Sequence, residues 1–258
     1  MTSLPTQFWH PWIVVPTYNE RENIAPFIAA IQKESPDARV LVVDDNSPDG
    51  TGRLADEIAR SNAHIAVLHR PQKEGLGAAY RAGFREVLQD PDCDLVIQMD
   101  CDFSHDPADF PLLVSGIDAG NDLVLGSRYV PGGSTPGWGL RRRLISKAGS
   151  MVARSVLRLP YRDLTGGFKA WRRTLLEQVD LAGGYAQGYG FQIEMTWTAR
   201  CLGARIAEVP ITFRDRTAGV SKMSGSIALE ALLMVLRLRL RGPRLPMATQ
   251  PATSRLRS

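Results

Sequence analysis

Along the first half of the chain, apolar residues arrive in short unbroken runs that alternate with segments where they recur every three or four positions. The runs Trp12–Pro16, Val40–Val43, Ile65–Leu68, Leu95–Met99 and Leu123–Gly126 have the length of strands buried on both faces. Between them, Glu20–Glu34 places Ile24, Phe27, Ile28 and Ile31 at helical spacing. Further helices are predicted at Gly52–Arg60, Gly75–Leu88 and Pro107–Ala119, the last with proline in its first turn. This alternation predicts an α/β fold, a mainly parallel sheet with helices on both faces in a single domain. The second half is less regular. Helices are expected over Leu144–Leu157 and Phe191–Leu202, a strand over Arg205–Ile211, and a glycine-rich connection at Thr165–Phe168. Ile227–Leu240 patterns as a last, amphipathic helix, expected to lie at a membrane interface, with a packed core helix as the alternative, and proline, arginine and serine after it predict disorder. The chain thus divides into a main domain at 1–225, a C-terminal helix at 226–242 and a basic tail at 243–258.

Composition narrows the class. With 258 residues, 44% hydrophobic and 22% charged, wholesale disorder is excluded. Three cysteines neither close a disulfide framework nor show zinc spacing, which favours a reducing compartment. No stretch approaches the ~18–20 apolar residues of a membrane span, and MTSLPTQFWH lacks the basic start and apolar core of a signal peptide. A cytoplasmic location is expected. The net charge of +4 is unevenly placed. From Arg214 onward the chain carries nine basic and two acidic residues, which leaves the rest at −3. That asymmetry predicts an anionic partner: a phosphorylated ligand, an anionic lipid surface or nucleic acid.

Candidate chemistry collects where open parallel sheets bind ligands, beyond the carboxyl ends of the strands. Pro16-Thr17-Tyr18-Asn19-Glu20 follows the first run, Asp44-Asp45-Asn46-Ser47 the second and Asp100-Cys101-Asp102 the fourth. Carboxylates gathered at one rim repel each other unless a cation or a hydrogen-bonding ligand compensates them. An Asp-x-Asp pair is by itself a common solvated turn. Just past a buried strand, beside two other polar turns, it offers hard oxygen ligands to Mg²⁺ or Mn²⁺, with phosphate oxygens completing the shell. Counter-charges follow at Arg128 and at Arg141, Arg142 and Arg143, suited to phosphate by arginine's planar fork. The basic, small-residue segment Phe213–Gly225 has the composition of a loop that covers a phosphorylated substrate. His105 is the one histidine near the acidic pair, although a surface role is its simpler reading. No glycine fingerprint follows the first run, so a nicotinamide dehydrogenase is not expected, and there is no P-loop or nucleophile elbow.

Taken together and in order, VVPTYNERENI, VLVVDDNSPDGT, EGLGAAYRAGF, VIQMDCDFSHDP, LVLGSRYVPGG, RRLISKAGS, TGGFKAWRR, GYGFQIEM and EVPITFRDRTAGVSKM resemble the family-2 glycosyltransferases of GT-A fold. Within these the likeness is to dolichol- or polyprenol-phosphate mannose synthases, over about Ile13 to Lys222. The resemblance implies inverting transfer of mannose from GDP-mannose to a polyprenyl monophosphate. Residue by residue, it places Pro16, Tyr18 and Glu20 at the nucleotide, and Val43 and Asp45 at base and ribose. Asp100, Cys101 and Asp102 fall on the metal and diphosphate, and Arg128 on the donor or its leaving group. Arg216 and Lys222 would hold phosphate, and with Arg142 that of the acceptor. Where some relatives place a glutamine metal ligand this chain has Ser104, so either Ser104 or water completes the shell. Some relatives also carry C-terminal membrane helices. Without them, the chain is expected to be peripheral on the cytoplasmic face of the membrane, through a surface helix or a separate membrane-anchoring protein.

A phosphate monoester with a second pKa of ~6 is largely dianionic at neutral pH. No general base is then needed, and the task becomes one of bringing two anions together. Two other readings remain at this stage. One is a polyprenyl-phosphate glucosyltransferase using UDP-glucose. The other, a nucleic-acid-binding protein, fits the basic balance but not the acidic rim, and no nucleic-acid partner is expected.

Overall fold

The structure, a computed structural model, describes residues 9–182, 190–214, 233–240 and 242. Seven strands form one sheet: β1 (Pro11–Thr17), β2 (Arg39–Asp44), β3 (Ile65–His69), β4 (Leu95–Gln98), β5 (Leu123–Ser127), β6 (Lys169–Arg172) and β7 (Ile206–Pro210). Their spatial order is β3-β2-β1-β4-β6-β5-β7. All neighbours run parallel except β6, which is antiparallel to both β4 and β5. Side chains of successive strand residues point to opposite faces, and both faces are apolar. Ile13 and Val15 of β1 pack into one core layer with Phe27, Ile28 and Ile31 of α1 (Arg21–Glu34), Ala55 of α2 (Thr51–Ser61), and Leu113 of α4 (Phe110–Asp118). Val14 faces the other layer, with Tyr80 and Phe84 of α3 (Leu76–Val87), Leu157 of α5 (Leu140–Leu157), Leu176 of α6 (Arg173–Leu176), and Phe191 of α7 (Gly190–Cys201). Helices therefore cover both faces, as the alternation predicts.

Three elements differ from the sequence-based expectation. The strand β6 follows the predicted glycine-rich connection directly, and its first residue is a buried lysine. Lys169 Nζ donates to Gln192 O at 2.7 Å and Thr196 Oγ1 at 3.0 Å, and burial pulls its pKa down to about 7. The predicted helix at Pro107 opens instead as a 3₁₀ turn, Pro107–Asp109, capped by the Asp106 carboxylate, before α4 begins. Helix α5 starts at Leu140, so the three arginines lie inside it. Residues 233–240 are helical, and Met234, Val235 and Leu238 sit in the main core layer. One face of the predicted C-terminal helix is therefore used for packing. No helix among the described residues is long and apolar enough to cross a membrane.

Candidate active site

The carboxyl ends of β1, β2, β3 and β4 converge on one rim. The turn after β1 is tied to the turn after β2: Asp45 N–H donates to Thr17 O at 3.0 Å, Asn19 N–H to Ser47 Oγ at 3.1 Å and Glu20 N–H to Thr51 Oγ1 at 2.9 Å. Asp44, buried at the end of β2, accepts from Thr17 Oγ1 and Ser47 Oγ at 3.1 and 2.5 Å, which makes it a structural carboxylate of the rim. Asp45, beside it, accepts from Arg70 Nη1 at 2.5 Å, and Arg70 also reaches Glu74. Burial raises the Asp45 pKa, and Arg70 offsets that only in part. Tyr18 carries Lys73 Nζ 3.6 Å above its ring. Pro16 and Val43 are neighbours across the β1–β2 ladder, below these turns.

The Asp-x-Asp turn leaves β4 and is held from several directions. Tyr80 OH donates to Asp100 Oδ1 at 2.6 Å, and Asp100 N–H donates to His105 Nδ1 at 3.1 Å. Burial, then the Asp100 charge, pushes the Tyr80 phenol well above its ordinary range, so it stays a donor. Ser104 donates from both its N–H, at 3.0 Å, and its hydroxyl, at 2.5 Å, to Asp102 Oδ1. Phe103 takes a left-handed φ of 58°, the bend that brings Ser104 back onto Asp102, and its ring packs edge-on against Phe27 at 5.3 Å. His105 is 1% exposed and stacked on Phe168 at 5.3 Å, which corrects the surface reading. Burial lowers its pKa against the charges of Asp100 and Asp102. Gly167 approaches this turn closely: a Cβ there would lie 3.1 Å from His105 Cε1 and 3.2 Å from Asp100 Oδ2. Cys101 is buried, and burial raises its thiol far above the reactive range.

Opposite the turn stands a cationic, aromatic wall. Arg128 is clamped on Asp163 by two parallel hydrogen bonds of 2.7 Å, and Thr165 Oγ1 accepts a third at 2.7 Å. Burial raises the Asp163 pKa, but the charge and hydrogen bonds of Arg128 outweigh it and hold the carboxyl below its ordinary range. Arg128 and Arg142 lie 5.5 and 4.1 Å from the Trp138 ring. Phe213 joins the two halves, with its ring 5.4 Å from that of His105, 5.3 Å from that of Trp138 and 5.1 Å from the Arg128 guanidinium. The segment leaving β7 is seated there by Arg214 N–H on Ser104 O at 3.2 Å and Thr212 N–H on Asp109 Oδ2 at 2.9 Å. Arg216 and Lys222 lie outside the described residues.

Pro16, Tyr18, Glu20, Val43 and Asp45 thus share one end of the rim, with Asp100, Cys101, Asp102 and Ser104 at its centre and Arg128 and Arg142 at the far end. Sequence reasoning passed over Arg70, Tyr80, Asp163 and Trp138. Asp163 is 35 residues from Arg128, and Tyr80 is 20 from Asp100, so no local pattern pairs them.

A mainly parallel sheet whose carboxyl rim carries an Asp-x-Asp turn defines a GT-A-type glycosyltransferase. Residues 12–180 match the family model for glycosyl transferase family 2, and the chain belongs to that family. It is 45% identical over 242 residues to a polyprenol monophosphomannose synthase of Mycolicibacterium smegmatis, covering 93% of this chain and 90% of that one. It is 46% identical over 224 residues to an undecaprenyl-phosphate mannosyltransferase of Micrococcus luteus, covering 87% and 91%. A dolichol-phosphate mannosyltransferase of Pyrococcus furiosus is 36% identical over 232 residues, 88% of this chain and 62% of that one. In fold, the chain is similar to glucosyl-3-phosphoglycerate synthase from Mycobacterium tuberculosis, with a TM-score of 0.66 at 22% identity over 89% of this chain and 79% of that one.

Proposed function

We propose that this protein is a polyprenyl-phosphate β-mannosyltransferase that moves mannose from GDP-mannose to a polyprenyl monophosphate with inversion. The observation that carries the reading is the placement of the Asp100–Asp102 turn and the Arg128–Arg142 wall on two sides of Phe213. Relatives that the chain matches over most of its length are named for mannosyl transfer to polyprenyl phosphates, which supports the acceptor class and the sugar.

The donor set fits a hard divalent cation, because Asp100 and Asp102 bring carboxylate oxygens to one turn. Among the described residues no group of three His, Cys, Asp or Glu side chains is arranged to hold a metal ion, so diphosphate, with Ser104 or water, would complete the shell. Bound there, Mg²⁺ or Mn²⁺ supplies Lewis-acid neutralisation of the leaving diphosphate. The protein's own groups do the rest. Asp45, fixed by Arg70, lies at the base and ribose end with Tyr18. Arg142, with Arg216 and Lys222, draws the acceptor phosphate toward the anomeric carbon by charge neutralisation, while Arg128, held by Asp163, serves the donor and its leaving group. The phosphate arrives already deprotonated, so no side chain acts as base. Attack by its oxygen expels GDP on the opposite side of the sugar, and a single displacement inverts the α-linked donor to a β-mannosyl phosphate.

Contact with the membrane falls to α5, at the cytoplasmic face. Its packed side is Ser150, Ala153 and Leu157, while Leu140, Leu144 and Met151 are 73%, 58% and 62% exposed. The helix contains five basic residues and no acidic one, which suits anionic head groups.

Labelled GDP-mannose or UDP-glucose, incubated with Mg²⁺ and a set of polyprenyl phosphates, tests the reading by analysis of the lipid phase. Label is expected to enter lipid from GDP-mannose. Transfer from UDP-glucose alone would make the protein a polyprenyl-phosphate glucosyltransferase instead.

A further inference from the structure

Tyr80 is fully buried in α3, stacked on Phe191 at 5.8 Å and tilted against Phe84 at 5.8 Å. Phenylalanine would fill that space equally well. The hydroxyl is the difference, and it reaches out of the core to donate to Asp100 Oδ1 at 2.6 Å. His105 holds the same residue by its backbone N–H at 3.1 Å, itself wedged between the rings of Phe168 and Phe213. One carboxylate oxygen of Asp100 is thus tied inward. The other, Oδ2, lies 4.0 Å from His105 Nδ1, where Gly167 leaves room for it, and the Asp100 side chain is 28% exposed.

The geometry points to Tyr80 as a positioning residue: its hydroxyl fixes the rotamer of Asp100, and divalent-ion affinity in the nucleotide-loaded site depends on that one hydrogen bond. This rests on the proposal that Asp100 and Asp102 hold the metal. Partners that orient a metal-bound carboxylate typically change affinity by about 10–100-fold when removed. A hydroxyl fixed inside an aromatic stack does so without moving, whereas water in its place would leave Asp100 free to rotate.

Titration of Mn²⁺ into the full-length protein with GDP, followed by the electron paramagnetic resonance of free Mn²⁺, tests both levels. Tyr80→Phe is expected to weaken Mn²⁺ binding by about 10–100-fold, with a thermal midpoint near that of the wild type. Asp100→Ala serves as the reference and is expected to weaken binding at least as much. If Asp100→Ala weakens binding and Tyr80→Phe does not, the positioning role is overturned and the metal site stands. Should Asp100→Ala bind Mn²⁺ as the wild type does, the metal reading itself fails, and the inference fails with it. A Tyr80→Phe protein that melts much lower yet binds Mn²⁺ normally has lost only a packing residue, which also overturns the inference.

Discussion

Asp102 is held by Ser104 on one oxygen and buries little apolar surface, so its replacement separates chemistry from folding. Asp102→Ala is expected to cut transfer more than tenfold, a barrier rise above about 1.4 kcal/mol, while the circular-dichroism melt stays close to wild type. Asp163 is the opposite case. It is completely buried and neutralises Arg128 through two side-chain hydrogen bonds, so Asp163→Ala removes the carboxylate that balances a buried guanidinium. Removing one partner of such a pair typically destabilises by about 3–5 kcal/mol. Urea unfolding should show that loss, and a result within 1 kcal/mol of wild type would contradict it. Lys169 gives a pH signature. Its pKa is about 7 when folded against an ordinary 10.5, so between these values the unfolded chain binds the extra proton and stability rises with pH. One group contributes at most about 1.4 kcal/mol per pH unit. Lys169→Met should flatten the rise between pH 7 and pH 10, read as the difference in thermal midpoints of the two proteins. At this scale the sequence displays the rim carboxylates, which follow apolar runs directly. It hides Tyr80 and Asp163, whose partners are set by the sheet order and not by spacing.

Elements were legible where one signal decided them. The strands β1, β2, β4 and β5 are largely buried runs of apolar residues, and α1 between them repeats its apolar residues every three or four positions. The strand β6 was not, because four residues that begin with lysine and end with arginine carry no apolar run. Its place comes from pairing, with Gln98 and Leu125 on either side of Lys169. Packing between elements makes a further prediction at Gly83, where α3 crosses the sheet. A Cβ there would lie 2.5 Å from Val14 Cγ1 and 2.9 Å from Val43 Cγ2, both on fully buried side chains. The gain in helix propensity on Gly83→Ala, up to about 1 kcal/mol, competes with overpacking of about 1–3 kcal/mol. Overpacking should win, because both valines sit in central strands of the sheet and have little room to move. The expected result is a midpoint lowered by several degrees, at about 2–4 °C per kcal/mol for a domain of this size. A raised midpoint would mean that α3 shifts outward freely.

At the scale of the whole molecule, the question is how a chain with no spanning helix among its described residues meets an acceptor whose tail stays in a bilayer. Charge counting pointed to the C-terminal segment, but Met234, Val235 and Leu238 there are committed to the core. The other candidate is α5, expected from periodicity only as a helix over Leu144–Leu157. At about 100° per residue, Leu140, Leu144, Ile145, Met151 and Val152 fall on one arc, directly opposite the packed Ser150, Ala153 and Leu157. Arg143, Lys147 and Arg154 border that arc on one side and Arg142 on the other, and Arg141 falls within it at the first turn of the helix. An apolar strip flanked by cations is the pattern of a helix lying at a head-group boundary, where each basic residue near an anionic surface adds about 1 kcal/mol. The same helix carries Arg142 to Trp138 and Arg128, so seating the strip in the boundary brings the end of the rim proposed to bind the acceptor phosphate to the height of the lipid phosphates. Replacing Leu144 and Met151 together by glutamate removes apolar contact and adds repulsion without touching the core, since both are more than half exposed. The double variant should lose co-sedimentation with vesicles containing phosphatidylglycerol and lose transfer to long-chain polyprenyl phosphates, yet keep transfer to short, water-soluble ones. Wild-type binding should weaken as salt rises, because exposed charges are screened within about 8 Å at physiological ionic strength. Unchanged vesicle binding by the double variant, or equal loss with both acceptors, would place the membrane contact elsewhere on the molecule.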